Sequence, residues 1–249
     1  MLRKAGDLFE QFNDELREGR LSANRSQPIG AGSFGVVYKS DQPGYVMKQV
    51  HDPDGLAGRS LEDEVNLQAI AAEAGLAPRI AGLEKFTGGI GNRIEMQDIR
   101  DNYYMMDDLP TAKQDLQIQQ QLGELALRGV RLEDRRPANI AFHKMTGRPL
   151  QLDFGIAGKV EGSEQVATLA MATADGFSAA GLDDIAGIYR ATVMDLLEGG
   201  DVADAMDVAK QGFSRLQKLK GPVPGTKDPQ EIQMDELFAA LERGRAKFM

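Results

Sequence analysis

Between a helical stretch that stops at Gly129 and a short run of strand formers, the chain reads VRLEDRRPANIAF. Fourteen residues after Asn139 it continues Asp153-Phe154-Gly155. Five specified positions of this kind arise by chance in roughly one chain of this length in ten thousand, at about one in twenty per position. The side chains suit one chemistry. Asn139 and Asp153 offer the oxygen ligands that a hard cation such as Mg²⁺ requires. Asp134 is then left to orient an incoming hydroxyl and accept its proton.

Composition narrows the alternatives. The chain of 249 residues has no cysteine and two histidines, His51 and His143, which excludes thiolate sites and leaves little room for a His-ligated zinc or a His-based triad. With 29 basic and 38 acidic residues the net charge is −9, the wrong sign for general nucleic-acid binding. Apolar residues make up 42%, ordinary for a globular protein. No run approaches eighteen uncharged apolar residues, so no membrane span is expected. The acids in MLRKAGDLFEQFNDE stand where a secretory signal would be apolar, so the reading is a cytoplasmic protein, or one delivered into a host cell without a classical signal peptide.

Three regions follow from the patterning. Residues 1–26 hold an amphipathic helix with Leu8, Phe9, Phe12 and Leu16 on one face, a core stripe or a partner-docking surface. Residues 27–99 are short β-rich runs broken by glycine, interrupted by one helix that Ser60 is placed to cap. In 100–249 the helical period dominates, with the strands NIAFH and PLQLDF between helices and the linker GPVPGTKDP before the last one. Met105 and Met106 read as core, and Asp107-Asp108 and Asp183-Asp184 as a solvated rim and a helix start.

Within the β-rich region, Gly30-Ala31-Gly32-Ser33-Phe34-Gly35-Val36-Val37 lies between two strand runs. Such a loop can offer backbone N–H groups to phosphates, and Phe34 at its tip suits a flap over a ligand. Lys48 ends the apolar run Tyr45-Val46-Met47. Sixteen residues on lies Glu64, inside the predicted helix and in step with Val65, Leu67 and Ile70, with Glu62 as a competitor for pairing with the lysine.

Together these motifs resemble the eukaryotic-like protein kinase superfamily, from about Ile29 to Gly200. GAGSFGVVYK resembles its glycine-rich loop, YVMK its lysine strand, EDRRPAN its catalytic loop and DFG its metal-binding motif; DDIAGIYRATVMDLLEGG resembles the buried helix that anchors the helical lobe. The resemblance implies an α+β, bilobal protein-kinase-like fold with a β-rich N-lobe, a C-helix within it, and a mainly helical, shortened C-lobe. It implies ATP and Mg²⁺ as cofactors and a protein substrate phosphorylated on Ser or Thr. By position, Lys48 binds nucleotide phosphates and Glu64 pairs with it. Asp134 is the catalytic base, Arg136 contacts the transferring phosphate, and Asn139 and Asp153 bind the metal. Gly30, Ala31, Gly32, Ser33, Phe34 and Gly35 cover the phosphates. Val37 and Val46 pack above the base and Ala141 below it, and the run Met96 to Arg100, with Met96 and Asp98, forms the hinge to adenine.

The chain departs from the family in three places. Leu132-Glu133 replaces the usual His-Arg before the catalytic Asp, and Glu133 cannot gather a phosphorylated activation loop. Activity is therefore expected not to depend on phosphorylation of Ser163, Thr168, Thr173 or Ser178. The segment after Gly155 lacks the closing Ala-Pro-Glu, and only about fifty residues follow Gly200, as in compact kinases among bacterial and phage proteins and delivered effectors. The missing platform keeps a small-molecule phosphotransferase of the same fold as an alternative, and a nucleotide-binding pseudokinase as another.

Overall fold

The computed structural model describes residues 28–32, 35–50, 60–84, 92–106 and 108–221. The expected N-terminal helix, the loop tip at Ser33 and Phe34, His51, Asp107 and the segments beyond Gly221 lie outside the described residues.

The glycine-rich stretch folds as a hairpin. Strand β1 (Gly30–Gly32) runs antiparallel to β2 (Gly35–Lys39), with Gly32 opposite Gly35. With β3 (Tyr45–Val50), β4 (Ile80–Glu84) and β5 (Arg93–Gln97) they form an antiparallel sheet in the order β1-β2-β3-β5-β4. A Cβ on Gly35 would lie 2.3 Å from the Gln49 carbonyl oxygen, so only glycine lets β2 approach β3 this closely. Between β3 and β4 lies helix α1 (Leu61–Glu73). The Ser60 side chain accepts from the Asp63 N–H while the Asp63 carboxylate accepts from the Ser60 N–H, a reciprocal cap. Its buried face, Leu61, Glu64, Leu67, Gln68 and Ala71, has helical spacing, and Leu61 joins Val46, Val50, Ile94 and Met96 in one core.

Beyond β6 (Tyr103–Met105) comes helix α2 (Ala112–Leu127), capped by Thr111 with Gln114 and stopped at Gly129, whose φ of 75° suits glycine. Then follow β7 (Val130–Arg131), a 3₁₀ turn at Pro137–Asn139, β8 (Ile140–His143), β9 (Pro149–Gln151) and β10 (Gly158–Lys159). Strands β6, β8 and β9 form a second sheet with β8 central. His143 is a turn residue: its Nδ1 accepts from the Met145 and Thr146 N–H groups, and its ring meets Tyr103 edge-on. Met106 is buried as expected, but Met105 is largely exposed and not core.

Three helices complete the chain: α3 (Gly162–Ala179), α4 (Asp183–Leu197) and α5 (Val202–Leu216). The stretch carrying Ser163, Thr168, Thr173 and Ser178 is thus one continuous helix. Its period was present in Val166, Leu169, Ala170, Thr173, Ala174 and Phe177, all buried. Helix α4, which resembles a buried anchoring helix in sequence, buries one face and exposes the other. Ile185, Ala186 and Tyr189 enter the core while Met194 and Leu197 are 56% and 76% exposed. The core of α2 to α5 closes through glycines: a Cβ at Gly123 would lie 2.1 Å from the Phe213 ring, and one at Gly212 would lie 2.2 Å from the Tyr189 ring.

Tyr189 stacks on Phe177 at 5.6 Å. Burial pushes its phenol up to about 12, with Arg215 pulling weakly the other way. An unfolded tyrosine ionises near 10, so the contribution of Tyr189 to stability is whole below about pH 10 and is lost as pH rises towards 12. In urea titrations at pH 9 to 12, wild type should therefore lose stability faster than Tyr189→Phe; parallel curves would contradict this.

The chain divides into two compact units. The first holds the described residues up to Met105 with Leu132–Thr146 and Leu150–Gly158; the second holds Met106–Arg131, Gly147–Pro149 and the residues from Lys159 on. No helix among the described residues is long and apolar enough to cross a membrane.

Candidate active site

Within the first unit the sheet register puts several candidate residues on one face. Alternate residues of a strand share a face, and directly paired residues of neighbouring strands point the same way. Val46, Lys48 and Val50 therefore share a face of β3, with Val37 and Ile94 flanking Lys48 and Met96 beside Val46. Helix α1 presents Glu64 to that face. Lys48 Nζ donates to Glu64 Oε1 at 2.6 Å and to Asp153 Oδ1 at 3.1 Å. The structure thus pairs Lys48 with Glu64, which the sequence left open against Glu62.

Lys48 and Glu64 are 8% and 7% exposed. Burial pulls the Lys48 ammonium down, but the charges and hydrogen bonds of Glu64 and Asp153 more than offset it, and its pKa lies above the ordinary lysine value. The lysine is therefore cationic throughout the physiological range, held between two carboxylates.

Asp153 follows β9, and its Oδ1 also accepts from the Gly155 N–H at 3.1 Å. Phe154 and Leu132 are both buried. The catalytic-loop stretch is fastened to the same place: the Leu152 N–H donates to the Asn139 carbonyl at 3.0 Å. The Asn139 side-chain Nδ2 reaches back to the Asp134 carbonyl at 3.5 Å, which leaves its Oδ1 for another partner. Ala141, two residues on, is fully buried in β8 opposite Met105.

Asp134 carries a fork. Arg136 Nε donates to both carboxylate oxygens at 2.8 and 2.9 Å, and the Arg136 N–H adds a contact at 3.3 Å. The Arg136 hydrogen bond leads, against a smaller opposing effect of burial, in holding the Asp134 carboxyl below the usual carboxylate range. The guanidinium itself is 60% exposed and remains open to solvent.

The hinge run is more committed than the sequence implied. The Gln97 N–H goes to the Arg79 carbonyl and the Asp98 N–H to the Gly44 carbonyl, both at 2.8 Å. The Asp98 carboxylate is gripped by Arg100, whose Nε lies 2.9 Å from Oδ1. Met96 is buried in the core beside Val46. Gln68 escaped the sequence reading altogether. It lies four residues after Glu64, on the same buried face of α1 beside Leu61, Leu67 and Ala71, and its helical spacing from Glu64 was its only signal.

No protein-family model and no curated protein matches the chain. Among solved structures it is similar to the kinase domain of Mycobacterium tuberculosis PknI, with a TM-score of 0.50 and 16% identity over 77% of this chain and 95% of that one. A cysteine-to-alanine point mutant of that domain aligns at a TM-score of 0.46 and 16% identity, over 76% and 94% of the two chains. At this identity the likeness is one of fold, and the chain has the α+β fold of a protein kinase domain.

Proposed function

We propose that the protein is an ATP- and Mg²⁺-dependent phosphotransferase that acts on Ser or Thr hydroxyls of a protein. One observation carries this reading. Within a single compact unit, Lys48 is ion-paired to both Glu64 and Asp153, while Asn139 braces the loop that presents Asp134.

The donor set fits the implied cofactors. Asp153 and Asn139 supply oxygens of the kind Mg²⁺ prefers. Two protein ligands leave the remaining positions of a Mg²⁺ ion for phosphate oxygens and water, the usual pattern for this ion. Bound Mg·ATP would supply the γ-phosphoryl group and neutralise charge on its oxygens. Lys48, fixed by Glu64, anchors phosphate oxygens. Asp134 orients the acceptor hydroxyl. As the oxygen–phosphorus bond to the acceptor forms and the γ-phosphorus bond to the β-bridging oxygen breaks, the hydroxyl proton passes to Asp134. The Arg136 guanidinium, exposed and already at Asp134, is positioned to meet charge developing on the phosphoryl oxygens.

Regulation by an activation loop finds little support here. Only residues 156–161 separate Gly155 from helix α3, Thr173 is buried with its hydroxyl on the Leu169 carbonyl, and Thr168 donates to the Glu164 carbonyl. The triple variant Ser163→Ala, Thr168→Ala, Ser178→Ala should keep its transfer rate within about twofold, since surface changes of this kind are small. A loss of tenfold or more would refute activation independence.

The short connection also favours a second reading, a small-molecule acceptor, because it leaves little chain for a peptide platform. Transfer from γ-labelled ATP to lysate proteins, followed by phosphoamino-acid analysis, separates the two. Labelled phosphoserine or phosphothreonine supports the first reading; label confined to an aminoglycoside or sugar supports the second.

A further inference from the structure

Helix α1 carries one buried polar group that the chemistry above leaves unused. Gln68 is 1% exposed. A fully buried amide has lost its water partners and is costly to keep unless it is hydrogen-bonded. Its Nε2 donates to the Pro78 carbonyl at 3.0 Å and lies 3.9 Å from the Met96 sulfur, while its buried Oε1 has no hydrogen-bond partner among the described residues, so the Pro78 bond is the amide's one strong anchor. The Pro78 oxygen can only accept, so chemistry fixes which end of the amide faces it.

We propose that Gln68 is a positioning residue whose bond to Pro78 sets the rotation of α1 about its own axis and so keeps the Glu64 carboxylate at Lys48. Residues four apart lie on one face of a helix, so what fixes position 68 also fixes position 64. At roughly 5 Å from the helix axis, a turn of about 30° moves a side-chain group by about 2.5 Å. That is enough to break the 2.6 Å contact between Glu64 and Lys48. Apolar contacts are not directional and would resist such a turn poorly. A hydrogen bond to a backbone carbonyl resists it well. The turn after α1 is held from a second side, where the Gln151 N–H donates to the Leu76 carbonyl at 2.9 Å, so Pro78 is itself a firm anchor. Only residues 156–161 lie between Gly155 and α3.

This inference rests on the phosphotransfer reading for the purpose of the Glu64–Lys48 pair, but the tether is measurable without it. A mutant cycle tests the coupling. Gln68→Met keeps side-chain length and removes the donor. In the wild-type background it should lower kcat about tenfold with the nucleotide KM changed by about threefold or less; in a Glu64→Ala background it should cost about twofold or less. An equal cost in both backgrounds, or none in the first, would overturn the proposal. Hydrogen exchange reads the tether in the absence of turnover. Protection over residues 61–73 should fall about tenfold in Gln68→Met while β2, β3 and β5 keep theirs. Unchanged protection would also overturn it. Should Gln68→Met not fold, Gln68→Leu takes its place under the same criteria. Lost protection in a protein that labels no acceptor at all would overturn the phosphotransfer reading and leave the tether standing.

Discussion

Asp134→Asn should lower kcat for phosphotransfer by about two to four orders of magnitude, the range that a positioned general base contributes. Nucleotide affinity should stay within a few-fold, because no observed contact of Asp134 involves Lys48, the residue proposed to anchor the phosphates. The fold should also survive. The substitution keeps the shape of the side chain and a carbonyl oxygen to accept from Arg136, and the Arg136 side chain is 60% exposed and can also turn to water. The depressed pKa adds a reason to expect a loss of rate rather than of binding. Arg136 keeps Asp134 ionised through the neutral range, so it is always able to accept a hydrogen bond from the acceptor hydroxyl. A carboxylate that weak takes the proton only once transfer is well advanced, and its earlier work is orientation. Initial-rate kinetics with a labelled acceptor, beside nucleotide titration, check both halves. A variant with a near-normal rate would remove Asp134 from the chemistry.

Lys48→Met should damage both stability and activity, and a second substitution should restore only one of them. Removing the ammonium leaves the buried Glu64 carboxylate without its partner, and breaking a buried pair from one side costs about 3–5 kcal/mol. For a chain of this size that corresponds to a fall in Tm of roughly 6–20 °C. Replacing Lys48 and its more buried partner by apolar residues, as in Lys48→Met with Glu64→Leu, removes the deeply buried charge and leaves only Asp153, which is more exposed and keeps its bond from the Gly155 N–H, so the double variant should recover most of the lost stability. It should still be inactive, because nothing then anchors the phosphates. Calorimetry and transfer assays on the three proteins decide the matter. A single variant as stable as wild type would mean that the pair is not buried in solution, and an active double variant would mean that the pair is not needed.

The polar parts of this site were legible because they are short motifs in which residue type and spacing carry the chemistry. Asp134, Asn139 and Asp153 needed no structure to be picked out, and the helical position of Glu64 already favoured it over Glu62. The first sheet was legible for the same local reason, with β-branched runs punctuated by glycine. What escaped depends on contacts distant in sequence. Gly123 and Gly212 look like ordinary helix glycines until Phe213 and Tyr189 are found against them. Gln68 looks like a surface residue until α1 is seated. The backbone amides of Gln97 and Asp98 are spent on the carbonyls of Arg79 and Gly44, bonds that residue type does not encode. Helix α3 is a different case: its period was written in the sequence, but the family resemblance drew attention to the absent Ala-Pro-Glu instead.

The most direct test of the central claim is transfer of label from γ-labelled ATP with Mg²⁺, comparing wild type with Asp153→Ala in the presence of casein and a cell lysate. Label on protein is expected with wild type and its loss with the variant, which has given up the carboxylate proposed to hold the metal. Wild-type protein that binds nucleotide yet transfers label to neither protein nor small molecule, or an Asp153→Ala variant that transfers as well as wild type, would contradict it.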